Sequence, residues 1–343
     1  MLFQLMKMLL RSTPGVRRMA TRLAYEAMSR FYRGHDVPFM DFGFAASEGD
    51  GTTLELAPED EDDRYFIQLY HRVVAGAGGD ATSGGCGRNG EAILGSLPSR
   101  QTSGGCGRNG EVILGSLLAG LEVLEVGCGR GGGAAWMARS LGPMRVVGMD
   151  ISPSAVAHAN RLHVARAGHQ RSSLTNPGHS PSSATESGLP TDLSYLPGDA
   201  EAMPFPDGFF DVVVNVESSH CYGSMDRFLG EVARVLRPGG RLCFCDVRDR
   251  ADAVRLRRDL EGNRHGLAVV ELEDITANVL AALDRTSARK EAALARFPFW
   301  VRGMLLDQSG VIGGVVHTAF VRGERVYLRA LLEKQRQGPS LPH

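Results

Sequence analysis

Short apolar runs, each bounded by glycine or polar residues, constrain the fold of this chain more than any other feature. They lie at Leu121–Val126, Val146–Asp150, Leu193–Leu196, Phe210–Val216 and Arg241–Cys245. Helix-like segments stand between several of them, at Ala134–Leu141, Pro153–Arg166 and Met225–Leu236. Continuous apolar runs of this length are typical of strands buried on both faces of a sheet. Their alternation with helices predicts an α/β fold with a parallel sheet and right-handed crossovers.

One glycine-rich turn has the sequence context of a ligand-binding loop. Gly127-Cys128-Gly129-Arg130-Gly131-Gly132 follows the first strand directly and opens the next helix. Glycines in this context permit a tight turn and a close approach of the backbone to a ligand. The same spacing at Gly85–Gly90, repeated at Gly105–Gly110, has no strand before it, and we interpret it as unrelated to ligand binding.

Acidic residues near the ends of three strands indicate which ligand the loop binds. Glu125 stands just before the glycines, where a carboxylate would repel a pyrophosphate but suits a cationic amine and a sulfonium. Asp150 ends the second strand and can accept both hydroxyls of a ribose, as it would in an NAD site. Asp199 can accept a hydrogen bond from an adenine amino group, with Ala200 supplying backbone. The pattern favours S-adenosylmethionine over a dinucleotide.

These motifs resemble those of the class I S-adenosylmethionine-dependent methyltransferases. The segments that carry the resemblance are VLEVGCGRGGG, VVGMDIS, GDAEAMPFPDGFFDVVVNVESSHCY and VLRPGGRL. Within the class, the chain looks most like the mycobacterial enzymes that O-methylate phthiotriol and phenolphthiotriol dimycocerosate lipids. The resemblance covers residues 30–76, 118–165 and 193–250, and more weakly 300–335. It implies a Rossmann-like, seven-stranded sheet with N-terminal helices and a helical cap.

The resemblance also implies the residues that hold the cofactor. Glu125, Gly127 and Gly129 match the loop around the methionine part, and Ile151 would pack on the adenine. Tyr70 would lie over the cofactor carboxylate, although a core aromatic on an amphipathic helix explains it equally well. The predicted cofactor-binding residues are Glu125, Gly127, Cys128, Gly129, Asp150, Ile151, Asp199, Ala200, Asn215 and Tyr70.

Catalytic candidates follow the fourth strand, at the edge of the sheet where open α/β folds bind ligands. His220 is the predicted general base, since its ordinary pKa near 6.5 suits proton abstraction around neutral pH. Asp246, at the end of the fifth strand, is its predicted partner. Glu217 either contacts the cofactor or serves as the base itself. The alternative for His220 is a histidine that only orients its loop.

The chain divides into segments of different character. Residues 1–76 are predicted as an N-terminal helical segment, 77–117 as a glycine-rich repeat loop, and 118–250 as the cofactor-binding core with a flexible insertion at about 166–191. The two repeat copies, 82–97 and 102–117, differ only at Ala92 against Val112. Residues 251–335 are predicted as a helical cap with the last strands, and 336–343 as a tail. Glu324–Glu333 is predicted as an antiparallel edge strand.

The segment after Asp246 points to the acceptor. Phe297, Phe299, Trp300, Met304 and Leu305 supply an apolar surface that fits a lipid-like alcohol, although ordinary core packing also explains it. O-methylation of a hydroxyl is the first expectation, and C-methylation of a prenyl or sterol-like acceptor is the close variant. Two rivals remain, an NAD-dependent oxidoreductase and a catalytically silent binding module of the same fold.

Composition excludes several other classes. The 38 basic and 39 acidic side chains give a net charge of −1, which argues against a nucleic-acid partner. No apolar run is long enough for a transmembrane helix, so only peripheral membrane contact is expected. The six cysteines include no CxxC pair, which disfavours a zinc site and indicates reduced, intracellular thiols. The basic residues 1–25 are either a mitochondrial or plastid transit segment or a retained amphipathic helix, and the expected compartment is otherwise the cytoplasm.

Overall fold

The computed structural model describes residue 26 and residues 38–47, 54–78, 117–164, 192–295, 297 and 299–336. The basic N-terminal segment, both glycine patterns at 85–90 and 105–110, the insertion at 166–191 and most of the predicted tail lie outside these residues. So do the side chains of Trp300 and Met304. No helix within the described ranges is long and apolar enough to cross a membrane.

From residue 122 onward the described strands and helices alternate, except for two consecutive strands within 192–216 and three consecutive helices within 276–321. In chain order they are α1 (Arg64–Val74), β1 (Glu122–Val126), α2 (Gly132–Ser140), β2 (Arg145–Asp150), α3 (Pro153–Ala159), β3 (Asp192–Pro197), β4 (Phe210–Val216), α4 (Met225–Val235), β5 (Leu236–Asp249), α5 (Arg250–Glu261), β6 (Leu267–Asp274), α6 (Thr276–Leu294), α7 (Phe299–Gln308), α8 (Val315–Val321) and β7 (Arg325–Lys334). Three short helical segments accompany them: 3₁₀-helices at Pro58–Asp63 and Ser219–Cys221, and a π-helix at Asn160–Val164.

The strands form one seven-stranded sheet in the order β3-β2-β1-β4-β5-β7-β6. Strands β1 to β5 are parallel, and β7 is antiparallel to both of its neighbours, β5 and β6. This confirms the predicted seven-stranded, Rossmann-like α/β fold. The order reverses at β1, because β2 lies on one side of it and β4 on the other.

The apolar runs are continuous because the sheet is covered on both faces. Successive residues of a strand point to opposite faces. Val123 accordingly packs in a core with helices α1 and α2, while Leu124 packs in a second core with helices α4 and α5. All five residues of β1 are buried. The core therefore consists of two layers, and polar side chains are left for the strand ends.

Three predictions about secondary structure were wrong. The fifth strand, predicted over Arg241–Cys245, runs from Leu236 to Asp249. The last strand, predicted over Glu324–Glu333 as an edge strand, is β7, which lies inside the sheet; the edge is β6, which the sequence analysis missed. Strand β6 escaped notice because Leu267–Asp274 mixes valines with exposed acids rather than forming a continuous apolar run. The helix predicted over Pro153–Arg166 ends at Ala159 and continues only as a wider turn.

Candidate functional site

The site lies at the carboxyl ends of β1 and β4, where the strand order reverses. In open α/β sheets, such a reversal leaves a crevice in which ligands bind. The loop after β1 begins at Gly127, and the loop after β4 begins at Glu217. The backbone nitrogens of Gly127 and Cys128 donate to the Met149 carbonyl at 2.8 and 3.1 Å, which fixes the first loop against the end of β2.

The glycine loop needs glycine for two separate reasons. Gly127 and Gly131 have positive φ angles, 75° and 85°, which side-chain-bearing residues rarely adopt. A Cβ on Gly127 would also lie 2.3 Å from Ser218 Oγ, and one on Gly131 would lie 2.6 Å from the Tyr195 ring. The turn is therefore tight, and it brings the loop after β1 against the loop after β4.

Glu125 is buried beneath this loop and is incompletely satisfied. Its side chain is 1% exposed, and Oε1 accepts a 2.6 Å hydrogen bond from the Tyr70 hydroxyl on α1. Its Oε2 is buried without a hydrogen-bond partner. Burial raises the pKa of Glu125 to about 7, although the hydrogen bonds from Tyr70 and the Ala134 backbone lower it. Gly133 leaves room for Tyr70, since a Cβ there would lie 2.0 Å from the ring.

Asp150 caps the turn that follows β2. Its Oδ2 accepts from Gly129 N at 2.9 Å, and Oδ1 accepts from Ser152 N at 2.8 Å. Burial raises the pKa of Asp150, and the two backbone hydrogen bonds oppose that rise. Asp150 therefore ties the glycine loop to the end of β2, and half-buried Ile151 follows it directly.

The turn after β3 and the end of β4 supply further polar groups. Asp199 Oδ1 accepts from Glu201 N at 2.9 Å, next to the buried Ala200. Glu201 Oε1 accepts from Gly223 N at 2.7 Å and links this turn to the loop after β4. The sequence analysis did not single out Glu201, although it stands in the same GDAE segment as Asp199.

Asn215 joins the carboxyl ends of the two central strands. It is fully buried, and its Nδ2 donates to the Val126 carbonyl at 3.0 Å. The same nitrogen lies 2.8 Å from Ser218 Oγ and 2.7 Å from the Tyr222 hydroxyl. Asn215 Oδ1 is buried without a hydrogen-bond partner. Its amide therefore holds the loop after β4 at the reversal point.

His220 and Asp246 form the predicted pair. His220 Nδ1 lies 2.8 Å from Asp246 Oδ1, and the His220 backbone nitrogen donates to Asp246 Oδ2 at 2.8 Å. The carboxylate is fully buried, and it also accepts from Ser219 Oγ at 2.6 Å and from Val247 N at 2.7 Å. Arg248 Nη1 lies 3.0 Å from Oδ2. Asp246 therefore fixes both the ring and the backbone of His220.

The charges around this pair control its protonation. Burial lowers the pKa of His220, but the charges of Cys221 and Asp246 outweigh burial, so the pKa lies well above its ordinary value of 6.5. Burial would raise the pKa of Asp246, but Arg248 and His220 hold it below its usual range. The neighbouring charges therefore favour the protonated form of His220, and its neutral form is the one that can accept a proton.

Glu217 follows β4 in a strained conformation. Among the described residues it is the one non-glycine residue with a positive φ angle, 49°. Its Oε2 accepts from Phe42 N and from the Tyr327 hydroxyl, each at 3.0 Å. Burial raises the pKa of Glu217 to about 7, although the nearby His220 lowers it. Such strain is concentrated at functional sites in proteins.

The structure brings three groups to this region that the sequence analysis missed: Asp41, Lys290 and Tyr327. Asp41 is buried beside Phe42, the residue that binds Glu217, and Lys290 Nζ lies 5.8 Å from the centroid of the Phe42 ring. Nothing in the sequence pointed to them, because Asp41, Lys290 and Tyr327 stand 176, 73 and 110 residues from Glu217, in separate parts of the chain.

The residues at the reversal point suit a ligand with a cationic amine. The unpartnered Glu125 Oε2 is a buried acceptor of negative character, and at Gly129 in the loop beside it a Cβ would approach no atom closer than 3.4 Å. A cation would repay the cost of burying the carboxylate and favour its ionised form. Within the described ranges, no group of three or more His, Cys, Asp or Glu residues is arranged to hold a metal ion.

Comparison with known proteins agrees with this chemistry. The family described as "Methyltransferase domain" matches residues 124–244. The fatty-acid O-methyltransferase of Mycolicibacterium smegmatis is 33% identical over 71% of this chain and 65% of its own length. The phthiotriol/phenolphthiotriol dimycocerosates methyltransferase of Mycobacterium leprae is 33% identical over 89% of this chain and 88% of its own length. The crystal structure of geranyl diphosphate C-methyltransferase from Streptomyces coelicolor A3(2) shares the fold, with a TM-score of 0.51 at 15% identity over 90% of this chain and 98% of that chain.

Proposed function

Because this chain belongs to the class I S-adenosylmethionine-dependent methyltransferases, we propose that it methylates a hydroxyl group of a lipid-like acceptor. The cofactor, when bound, supplies a methyl group on a positively charged sulfur, which makes the methyl carbon open to attack by an oxygen nucleophile. The chain's own task is to hold both reactants in line and to remove the hydroxyl proton.

The cofactor contacts are assigned from the polar groups at the reversal point. Glu125, steadied by Tyr70, would bind the amine, and the loop from Gly127 through Cys128 to Gly129 would lie against the methionine part. Asp150 would accept the ribose hydroxyls, with Ile151 on the adenine. The remaining assigned contacts are Asp199 and Ala200 on the adenine edge and Asn215 at the methyl-transfer site. The buried, unpartnered Glu125 Oε2 supports this set best.

His220 is the proposed general base. With Nδ1 held by Asp246, the other ring nitrogen, Nε2, takes the proton from the acceptor hydroxyl. Asp246 also stabilises the imidazolium that results, as in other His–Asp pairs. The single observation that carries this role is the 2.8 Å contact between His220 Nδ1 and a fully buried carboxylate. Glu217 is the second candidate base, because its pKa of about 7 suits the same task.

The acceptor class rests on the relatives and on the cap. The curated relatives are named for a fatty acid and for phthiotriol lipids, which have long apolar chains. The segment after α6 contributes exposed apolar side chains, including Phe299 at 85% exposure and Ile312 at 56%. A lipid-like acceptor is consistent with both observations. C-methylation of a prenyl acceptor remains the close alternative.

The test is transfer of a labelled methyl group from S-adenosylmethionine to a long-chain alcohol, a fatty acid and a prenyl diphosphate. We expect methylation of the alcohol, with kcat reduced by about 10²–10⁴-fold in His220→Ala. Binding of S-adenosylhomocysteine should stay within about twofold, because Asp246 keeps Arg248, Ser219 and its backbone donors in this variant.

His265→Ala is the matched control for this test. His265 Nε2 forms a similar 2.9 Å pair with Asp226, but His265 lies between α5 and β6, outside the loops that carry the assigned contacts. Its removal should leave turnover unchanged. Full activity of His220→Ala would remove the base assignment, and methylation of the prenyl acceptor alone would favour C-methylation. Binding of NAD in place of S-adenosylmethionine would favour an oxidoreductase, and cofactor binding without any transfer would favour a silent binding module.

A further inference from the structure

A second polar cluster lies beside the proposed site, where the segment 38–47 meets Glu217 and β7. We call Asp41, Glu217, Lys290 and Tyr327 the Asp41 cluster. Glu217 Oε2 accepts hydrogen bonds from Phe42 N and from the Tyr327 hydroxyl, both at 3.0 Å. These two contacts bind the segment to the sheet. The cluster therefore draws on four separate parts of the chain.

Two buried polar atoms of this cluster are unsatisfied. Asp41 is 7% exposed, and its Oδ1 accepts from Gly43 N at 2.9 Å, but its Oδ2 is buried without a hydrogen-bond partner. Lys290 Nζ is also buried without a hydrogen-bond partner. Its contacts are with two aromatic rings, Phe42 at 5.8 Å and Phe66 at 5.5 Å. Asp41 Oδ2, an acceptor, and Lys290 Nζ, a donor, therefore both lack a hydrogen-bond partner in one buried region. Proteins generally pair such buried polar atoms.

The charges show which ligand chemistry this cluster tolerates. Burial raises the pKa of Asp41 well above its ordinary range, and the charge of Glu217 raises it further. Burial lowers the pKa of Lys290 to about 8, against the attraction of Asp41 and Glu217, so the ammonium persists at neutral pH. A ligand carboxylate would add a third acid beside two whose ionisation is already disfavoured. A ligand amine would face Lys290.

We infer that the Asp41 cluster binds a second hydroxyl group of the acceptor, so that the preferred substrate is a lipid diol. A hydroxyl oxygen accepts from Lys290 Nζ while its hydrogen is donated to Asp41 Oδ2, and no net charge is added. The inference rests on the proposed methylation of a lipid alcohol. It goes beyond that proposal by assigning substrate selection to Lys290 and Asp41, neither of which belongs to the His220–Asp246 pair.

Asp41 and Lys290, the two groups inferred to bind the second hydroxyl, are separate from His220, the group proposed to remove the proton. Asp246 contacts Ser219, His220 and Arg248, whereas the Asp41 cluster contacts Phe42 and the ring of Phe66. Glu217 stands between the two and interacts electrostatically with both His220 and Asp41. In the arrangement that we infer, the acceptor places one hydroxyl at His220 and its second hydroxyl at the Asp41 cluster.

The test compares a long-chain diol with the mono-alcohol and the fatty acid of the same chain length. The wild-type enzyme should favour the diol over the mono-alcohol by about tenfold in kcat/KM, the scale of one buried hydrogen bond to a charged group. Lys290→Met should lose this preference through a higher KM for the diol, with little change for the mono-alcohol. Asp41→Asn should weaken the preference in the same way while conserving side-chain volume.

Arg289→Met is the matched control, because Arg289 is the preceding residue of α6, with a half-exposed side chain. It should keep the diol preference, and all variants should bind S-adenosylhomocysteine as the wild type does.

A purely structural role of Lys290 would lower turnover of both alcohols equally, which would overturn the inference. Equal use of diol and mono-alcohol by the wild type, or preference for the fatty acid, would overturn it while leaving the methyltransferase proposal standing. Methylation of none of the three by enzyme that binds S-adenosylhomocysteine would refute both.

Discussion

Replacing Glu125 by glutamine should make the cofactor-free protein more stable at neutral and higher pH while weakening cofactor binding. Burial raises the pKa of Glu125 from 4.5 to about 7 in the folded protein. A raised acid pKa gives stability that is present below pH 4.5 and is lost as pH rises through about 7. A shift of about 2.5 pH units corresponds to about 3 kcal/mol. Glutamine does not titrate and keeps an acceptor for Tyr70.

The assay is urea unfolding of wild type and Glu125→Gln across pH. Between pH 4.5 and about pH 8, the free energy of unfolding of wild type should fall by about 3 kcal/mol relative to that of Glu125→Gln. The two proteins share all other titrating groups, so the comparison isolates Glu125. Tyr70→Phe should enlarge the pH dependence, because the Tyr70 hydrogen bond lowers the pKa of Glu125. In the same pH range, the affinity of wild type for S-adenosylmethionine should rise, and that of the variant should be weaker and flat. A stability difference that does not change with pH would refute the reasoning.

Two further substitutions test the geometry of the site. Asp246→Asn should shift the acidic limb of the pH–kcat profile to lower pH, because His220 loses a charge that raises its pKa; an unshifted limb would contradict this. The same substitution should lower the free energy of unfolding in denaturant by about 3–5 kcal/mol, because it leaves the charge of Arg248 uncompensated. Gly127→Ala should destabilise the protein and weaken cofactor binding, because the new Cβ would lie 2.3 Å from Ser218 Oγ. Gly208 also has a positive φ angle but no atom within 4 Å of a Cβ, so Gly208→Ala should cost only the backbone strain of about 1–2 kcal/mol. Equal effects of the two alanines in thermal unfolding and titration would argue against the crowding.

The strands were predictable because they are buried on both faces and leave continuous apolar runs. β1, β2 and β4 were predicted to within a residue, and the loop from Gly127 was recognised by its position between a strand and a helix. β6 was not recognised, because its position beside β7 exposes one side of Leu267–Asp274 and mixes acids into the run. Because β6 was not predicted, β7 was taken for the edge strand, although β6 lies beyond it in the sheet.

The site was predictable only where its residues follow strand ends. His220 lies four residues beyond the end of β4, and Asp246 lies three residues before the end of β5, not at the strand end as predicted. Because β4 and β5 are neighbours, the structure places the two side chains 2.8 Å apart, as expected. Asp41 and Lys290 come from a loop and a helix far away in sequence, so their approach to Glu217 depends on tertiary packing that no local pattern reveals. Tyr70 faces Glu125 for the same reason, and an amphipathic helix pattern alone could not separate this role from core packing.

The most direct test of the central claim is calorimetric titration of the purified protein with S-adenosylmethionine, S-adenosylhomocysteine and NAD, alongside Asp150→Ala. The account predicts binding of the first two ligands and not of NAD, with affinity lost in Asp150→Ala. The surface variant Asp207→Ala, whose side chain is 82% exposed, should bind as the wild type does. Undiminished binding by Asp150→Ala, or binding of NAD alone, would contradict the cofactor site described at the ends of β1 and β2.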